Sequence, residues 1–220
     1  SFHEHNEDKT LLKIINKIKK NKTVSIVSDA GTPVISDPGY KLIQECVRQS
    51  INYTLIPGPS SLINAIVMSG LPVDKFSFFG FMPKKKHDQE ELFKNLKNNP
   101  STAIFFESPK RIEKTILNLI KIMGLDKKIA ICREMTKLHE EIIRGSLKDI
   151  INKIKTKNIL LKGEIVLVIE GSKKNQINYF LDSKVKYEFL KKLSASDSAK
   201  LISLLTGENK RNIYKSLIDD

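Results

Sequence analysis

Apolar and polar positions alternate along the first third of the chain in two different rhythms. Between residues 8 and 20, leucines and isoleucines fall on one helical face and lysines on the other, which predicts an amphipathic surface helix. Short apolar runs at 24–27 and 53–56 predict buried strands, and the helical spacing over 40–49 and 62–69 predicts a helix after each strand. This alternation of strand and helix is typical of a parallel α/β sheet.

The middle of the chain continues the alternation, whereas the last part lacks any strand signal. The pattern predicts further strands at 76–83, 103–107, 128–133, 141–144 and 164–170. It predicts further helices at 90–96, 112–123, 147–155, 194–205 and 209–217. We therefore expect an N-terminal α/β domain over 1–73, a second α/β domain over 74–173 and a helical appendix over 174–220.

Composition narrows the class of protein. Of the 220 residues, 40% are hydrophobic and 29% are charged, which is typical of a globular chain. No apolar run reaches the roughly 18 residues that span a bilayer, so no membrane association is expected. The two cysteines, Cys46 and Cys132, lie far apart, and neither they nor the four histidines have metal-ligand spacing. The sequence therefore predicts a reducing cytosolic compartment and no metal.

The net charge of +13 is concentrated in the middle of the chain. Residues 74–173 carry 21 basic and 13 acidic side chains, whereas the parts before and after them have net charges of only +2 and +3. A concentrated excess of this kind favours a polyanionic partner, most simply nucleic acid. The alternative is a lysine-rich surface that is only solvated.

Two loops follow the first two predicted strands and are built from small or kinked residues. They read SDAGTPVISDPG at 28–39 and PGPSS at 57–61. Gly31 allows a ligand to approach the backbone, and Ser60 and Ser61 offer donors at a helix start that suits an anionic group. Asp29 and Asp37 could accept hydrogen bonds from hydroxyl or ammonium groups. Together the loops suit a zwitterion with a sugar, although tight turns with helix caps remain the alternative.

Two further segments place cations after predicted strands. ESPKR at 107–111 puts Lys110 and Arg111 at a helix start, where they oppose the helix dipole, and a bound phosphate would offset that cost. Arg133 and Lys137 follow another strand in CREMTKLHEE and add positive charge near the same crevice. A solvated helix start is the alternative interpretation.

The motifs SDAGTPVISDPG, PGPSS, ESPKR and REMTKLHEE, in this order, resemble small-subunit ribosomal RNA methyltransferases of the tetrapyrrole methylase superfamily. SFHEHNE and LSASDSAKLISLLTGENKRNIY resemble further segments of that family, so the resemblance covers essentially the whole chain. It implies two α/β domains of tetrapyrrole-methylase type with S-adenosylmethionine in the cleft between them, plus a small C-terminal helical module. It also implies 2′-O-methylation of a cytidine ribose in the decoding region of 16S rRNA by a cytoplasmic homodimer.

The resemblance assigns site residues by motif. Those matching the donor pocket are Asp29, Ala30, Gly31, Thr32, Ser60 and Ser61, with Phe106, Met135 and Glu164 on the side of the second domain. Glu107 is the candidate general base, because a ribose hydroxyl is a poor nucleophile; a base outside this sequence is the alternative. Side chains expected to hold rRNA phosphates are Lys84, Lys85, Lys86, Lys110, Arg111, Arg133 and Lys137.

The sequence departs from the family pattern at its start. The family begins with a strand, a proline–glycine–asparagine loop and an acidic–threonine–arginine motif, and Ser1 lies beyond the place of all three. We therefore expect the first domain to lack its first strand and glycine loop in this sequence. Two other functions stay open: a tetrapyrrole C-methyltransferase of precorrin type, which the basic middle third disfavours, and a non-catalytic RNA-binding assembly factor.

Overall fold

A mixed β-sheet organises the first of two compact units, which spans residues 1–173. The computed structural model describes residues 2–3, 6–156, 158, 160–172, 183–206 and 209–218. Within them, the strands are β1 (Phe76–Phe81), β2 (Thr102–Glu107), β3 (Lys128–Arg133), β4 (Glu141–Ser146) and β5 (Ile165–Ile169), in the spatial order β1-β2-β5-β3-β4. β1 and β2 are parallel, and the remaining neighbours are antiparallel.

The interior strands are buried on both faces, because helices cover both sides of the sheet. The helices of this unit are α1 (Glu7–Lys19), α2 (Tyr40–Arg48), α3 (Ser61–Ser69), α4 (Lys86–Lys97), α5 (Ile112–Met123) and α6 (Leu147–Lys155). Alternate side chains of β2 point to opposite faces: Phe105 belongs to the cluster built with α4, α5 and α6, and Ile104 to the cluster built with α3.

The second compact unit spans residues 174–220 and is helical where the structure describes it. It consists of α7 (Ser183–Lys192), α8 (Ala195–Thr206) and α9 (Lys210–Ile218). α8 and α9 bury Ala199, Ile202, Ile213 and Leu217 against each other. The predicted helices at 194–205 and 209–217 are thus confirmed, and α7 is an additional helix that the apolar pattern did not indicate.

The predicted strands at 24–27 and 53–56 are wrong. Neither segment is a strand, and no backbone ladder hydrogen bond joins either one to a neighbour within the described residues. Val27 and Ile56 are each 86% exposed, so these apolar runs are not buried. A strand exists only where a partner satisfies its backbone groups, and a short, largely apolar segment does not by itself provide that partner. The parallel sheet expected there is therefore absent from the described part of the chain.

The strands and helices predicted for the middle of the chain are confirmed within a few residues at each end. The α/β fold class with C-terminal helices is likewise confirmed. A division of the first unit at residues 73 and 74 stays a prediction. In the described residues, no helix has both the length and the apolar character needed to cross a membrane.

Candidate functional site

A cavity of about 760 Å³ opens at the sheet edge where β1 and β2 end and β5 begins. This volume falls within the range of small-molecule sites. Its walls come from the loop after residue 26, from the start of α3, and from the ends of the strands at Phe81, Phe106 and Ile165. Ligands of α/β sheets bind at such an edge, because loops that follow neighbouring strands converge there.

The loop at 28–39 forms one wall and is held in an unusual backbone conformation. Gly31, Val34 and Ser36 all have positive φ angles, of 72°, 76° and 60°. Left-handed geometry is costly for a β-branched residue such as Val34, and strain of this kind clusters at ligand sites. The Ser28 hydroxyl donates to the carbonyls of Ala30 and Gly31, and the Gly39 N–H donates to the buried Glu7 carboxylate, which fixes the end of the loop to α1.

The start of α3 forms a second wall. Ser60 is the N-cap: its hydroxyl accepts from the Ile63 N–H at 3.5 Å, and both Ser60 and Ser61 line the cavity. The unpaired N–H groups at a helix start and the positive end of its dipole together suit an anionic ligand group such as a carboxylate.

Carboxylates give the rest of the cavity a negative character. Asp29, Asp37 and Glu164 all line it. Burial raises the pKa of Asp37 above its ordinary value, and the neighbouring charges of Asp29 and Glu164 raise it further. Three acidic groups that line one cavity favour a ligand that carries positive charge.

A turn between β3 and β4 positions Glu164. The Glu134 carboxylate accepts from the Glu164 N–H at 2.8 Å, while the Glu134 N–H donates to the Glu164 carbonyl at 2.9 Å. Lys137 donates to both carboxylates, at 3.1 and 3.0 Å. These donors lower the pKa of Glu134, with the Glu164 N–H as the largest cause. The pKa of Lys137 is raised, chiefly by its hydrogen bond to the Glu164 carboxylate and then by its hydrogen bond to Glu134.

Glu107 is buried at the end of β2, and both of its carboxylate oxygens are engaged. One oxygen accepts from the Ser108 N–H at 2.6 Å and forms an ion pair with the Arg111 guanidinium at 2.6 Å, and the other oxygen accepts from the Thr115 hydroxyl at 2.6 Å. Arg111 also donates to the carbonyls of Met82 and Pro83. Glu107 therefore fixes the loop that leads into α5.

The cations predicted to bind RNA divide into two groups. Arg111, Arg133 and Lys137 are in ion pairs with little exposure of the cation, and Lys86 pairs with Glu90 while it stays exposed. Lys84, Lys85, Lys86 and Lys110 are exposed. The binding role of all seven stays a prediction.

The cavity brings together every residue that the sequence assigned to the donor pocket, as well as Glu107. Sequence reasoning named Asp37 as a possible hydrogen-bond acceptor but did not include it among the residues of the donor pocket, and in the structure it lines the cavity. Sequence reasoning missed Phe81 and Gly163, which reach the cavity through packing that no local motif reports. In the described part of the chain, no group of three or more His, Cys, Asp or Glu side chains is arranged to hold a metal ion.

Comparison with known proteins identifies the family of this site. The family model described as Tetrapyrrole (Corrin/Porphyrin) Methylases matches residues 1–151. A protein of Thermotoga maritima named Ribosomal RNA small subunit methyltransferase I is 45% identical over 171 residues, which is 78% of this chain and 75% of that protein. A protein of the same name from Mesorhizobium japonicum is 34% identical over 219 residues, or 100% of this chain and 74% of that one.

Solved structures with the same fold are more distant in sequence. Diphthine synthase has a TM-score of 0.55 at 14% identity, covering 77% of this chain and 68% of its own. Cobalt precorrin-4 methyltransferase, a cobalamin biosynthetic enzyme, has a TM-score of 0.52 at 17% identity, covering 73% and 70%. At these identities the likeness concerns the fold alone.

Proposed function

The chain belongs to the tetrapyrrole (corrin/porphyrin) methylase family, and on that premise we propose that it transfers a methyl group from S-adenosylmethionine to small-subunit ribosomal RNA. The observation that carries the proposal is the cavity itself, which gathers all the residues assigned to the donor pocket at one sheet edge. The curated relatives named as small-subunit rRNA methyltransferases support the choice of substrate.

The residues of the cavity fit the donor chemically. S-adenosylmethionine carries a carboxylate, an ammonium and a sulfonium whose methyl group is the one transferred. The start of α3 at Ser60 and Ser61 suits the carboxylate. Asp29, Asp37 and Glu164 suit the cationic groups, and Phe106 offers an apolar face.

The acceptor that we propose is the 2′-hydroxyl of a cytidine ribose in the decoding region. The chain then has to align that hydroxyl with the methyl group and remove its proton. Glu107 and Asp37 are the two candidate bases: Glu107 lies at the cavity wall and is already engaged by Ser108, Thr115 and Arg111, whereas the raised pKa of Asp37 favours proton uptake. A pH–rate profile of Asp37→Asn beside Glu107→Gln separates them, because only loss of the true base removes the acidic limb while donor affinity persists.

The test of the function uses radiolabelled S-adenosylmethionine with small-subunit RNA, or immature subunits, that lack the modification. We expect label in RNA and, after nuclease digestion, in 2′-O-methylcytidine. Label in a precorrin-type tetrapyrrole but not in RNA would instead favour the C-methyltransferase. RNA binding that is indifferent to donor, with no label transferred, would favour the non-catalytic assembly factor.

We also propose that the protein is a cytoplasmic homodimer. The edge strand β1 supports a protein contact, because it leaves the large aromatic residues Phe76 and Phe79 about 40% exposed. Light scattering after gel filtration tests this directly, and a mass equal to one chain at micromolar concentration would contradict it.

A further inference from the structure

A second, smaller cavity lies between the first turns of α4 and α5. Its volume is about 100 Å³, and four cations line it: Lys84, Lys86, Arg111 and Lys114. We call it the cationic pocket. Since liquid water takes about 30 Å³ per molecule, the cationic pocket accommodates a group of a few heavy atoms rather than a nucleobase.

The cationic pocket carries more positive charge than its neighbours neutralise. Lys86 pairs with Glu90 at 3.6 Å, and Arg111 pairs with Glu107 at 2.6 Å. Within the described residues, Lys84 and Lys114 have no carboxylate partner. Two unneutralised ammonium groups beside one small cavity favour an anion that is itself small.

Buried amides complete the lining. Gln89 and Asn118, each 5% exposed, are joined by a bond of 2.8 Å from the Asn118 amide nitrogen to the Gln89 oxygen. The Gln89 amide nitrogen donates in turn to the Pro83 carbonyl at 2.8 Å. Each amide nitrogen has two N–H donors and uses one of them in these bonds, so the pocket offers neutral donors as well as charge.

We propose that the cationic pocket binds one phosphate of the RNA backbone. The proposal rests on RNA being the substrate. RNA is favoured over other sources of phosphate because Arg111 belongs to the pocket while its partner Glu107 lines the large cavity, so one ion pair of 2.6 Å separates the two sites. Phosphate contacts set the register of a nucleic acid, and a phosphate held here fixes where the nearby ribose meets the large cavity.

Lys84 and Lys114 are 30 residues apart in the sequence, but both line the cationic pocket. In this proposal they therefore contact the same phosphate. A solvated lysine surface would instead let each contact a different phosphate. The two situations differ in salt dependence, because each single-strand phosphate neutralised contributes about 0.7 to the slope of log K against log salt concentration.

The experiment measures binding of the full chain to a single-stranded RNA of decoding-region sequence, by fluorescence anisotropy at several salt concentrations. The variants are Lys84→Ala, Lys114→Ala and the double variant, with Lys121→Ala, an exposed cation in the last turn of α5, as the control. We expect the double variant to reduce the salt slope by about 0.7, which is the share of one phosphate, and each single variant to reduce it by no more than that amount. Lys121→Ala should leave the slope unchanged.

Three results would overturn the proposal. They are an unchanged slope in the double variant, a loss of about 1.4 in the double variant, or a loss in Lys121→Ala that equals the loss in the double variant. In a further arm, inorganic phosphate replaces chloride at constant ionic strength. It should weaken RNA binding of the unaltered chain more than that of the double variant, and equal weakening of both would also count against the pocket.

The failure of this proposal differs from the failure of the proposed function. The anisotropy assay needs no donor, so the expected slopes without methyl transfer would leave the cationic pocket standing and refute the reaction. Methyl transfer together with unaltered salt slopes would support the reaction and refute the cationic pocket. Because Lys84 and Lys114 are exposed, the variants should keep the unfolding midpoint of the original chain, which circular dichroism checks.

Discussion

Replacing Gly163 by alanine tests how the cavity wall at Glu164 is held. Gly163 has a φ of 79°, and a Cβ atom added there would lie 2.7 Å from the Glu134 Cγ and still closer to the carboxylate itself. That carboxylate accepts from the Glu164 N–H and from Lys137. The substitution therefore displaces the side chain that fixes the backbone of Glu164.

The magnitude follows from two additive costs. Left-handed φ costs an L-residue about 1–2 kcal/mol. Moving the Glu134 carboxylate loses two charge-assisted hydrogen bonds, which contribute about 1–2 kcal/mol together once the exposure of Lys137 is discounted. Gly163→Ala should therefore lower the free energy of unfolding by about 2–4 kcal/mol.

Gly70→Ala is the matched control. Gly70 has a φ of 72°, but its added Cβ would meet only the Arg144 side chain at an ordinary distance of 3.8 Å. Urea unfolding should show a loss of about 1–2 kcal/mol for Gly70→Ala, which carries the φ cost alone. The excess loss in Gly163→Ala should vanish when Glu134→Ala is already present. Equal losses at both glycines, or an excess that survives in the Glu134→Ala background, would refute the reasoning.

Three further predictions concern binding of the methyl donor, the contribution of a helix cap to stability, and the dependence of stability on pH. Gly31→Val adds a branched side chain to the cavity at a φ of 72° and should abolish donor binding in calorimetry; normal affinity would contradict the pocket assignment. Ser146→Ala removes the capping box that Ser146 and Asp149 form and should cost about 1 kcal/mol of unfolding free energy while RNA affinity stays unchanged. Because the pKa of Glu134 is lowered in the folded chain, its ionised form stabilises the fold above its ordinary pKa, and this contribution disappears as the pH falls through the lowered value. The unfolding free energies of the original chain and Glu134→Gln should therefore converge on acidification, and a constant difference would contradict this.

The order of residue types along the chain was sufficient to predict an element wherever that order alone determines the element. β5 is a continuous apolar run because both faces of an interior strand are buried. α6 was predictable to the residue because Ser146 caps its start and isoleucines recur on one face. The segments at 28–39 and 57–61 were recognisable as loops for a similar reason, since their glycines and prolines restrict the backbone directly.

The features that were predicted wrongly or not at all have a different cause in common. The apolar segments at 24–27 and 53–56 had the composition of strands, but a strand also needs a neighbour, and composition does not report one. The contact between Gly163 and Glu134 joins positions 29 residues apart, and the cationic pocket joins two helix starts. Such features depend on tertiary packing, so only the folded structure reveals them.

Neighbouring cations with the same formal charge also differ in their contacts and exposure, which the sequence does not show. Arg111 is held by Glu107 and two carbonyls, whereas its neighbour Lys110 is exposed. Of the seven cations assigned to RNA, four already pair with carboxylates, namely Lys86, Arg111, Arg133 and Lys137. A count from the sequence would predict a salt slope of about −5 for these seven, but the three without a carboxylate partner in the described residues support only about −2. The net charge of +13 therefore overstates the number of phosphates that these cations would bind, and such contacts would set the register of the RNA rather than read its sequence.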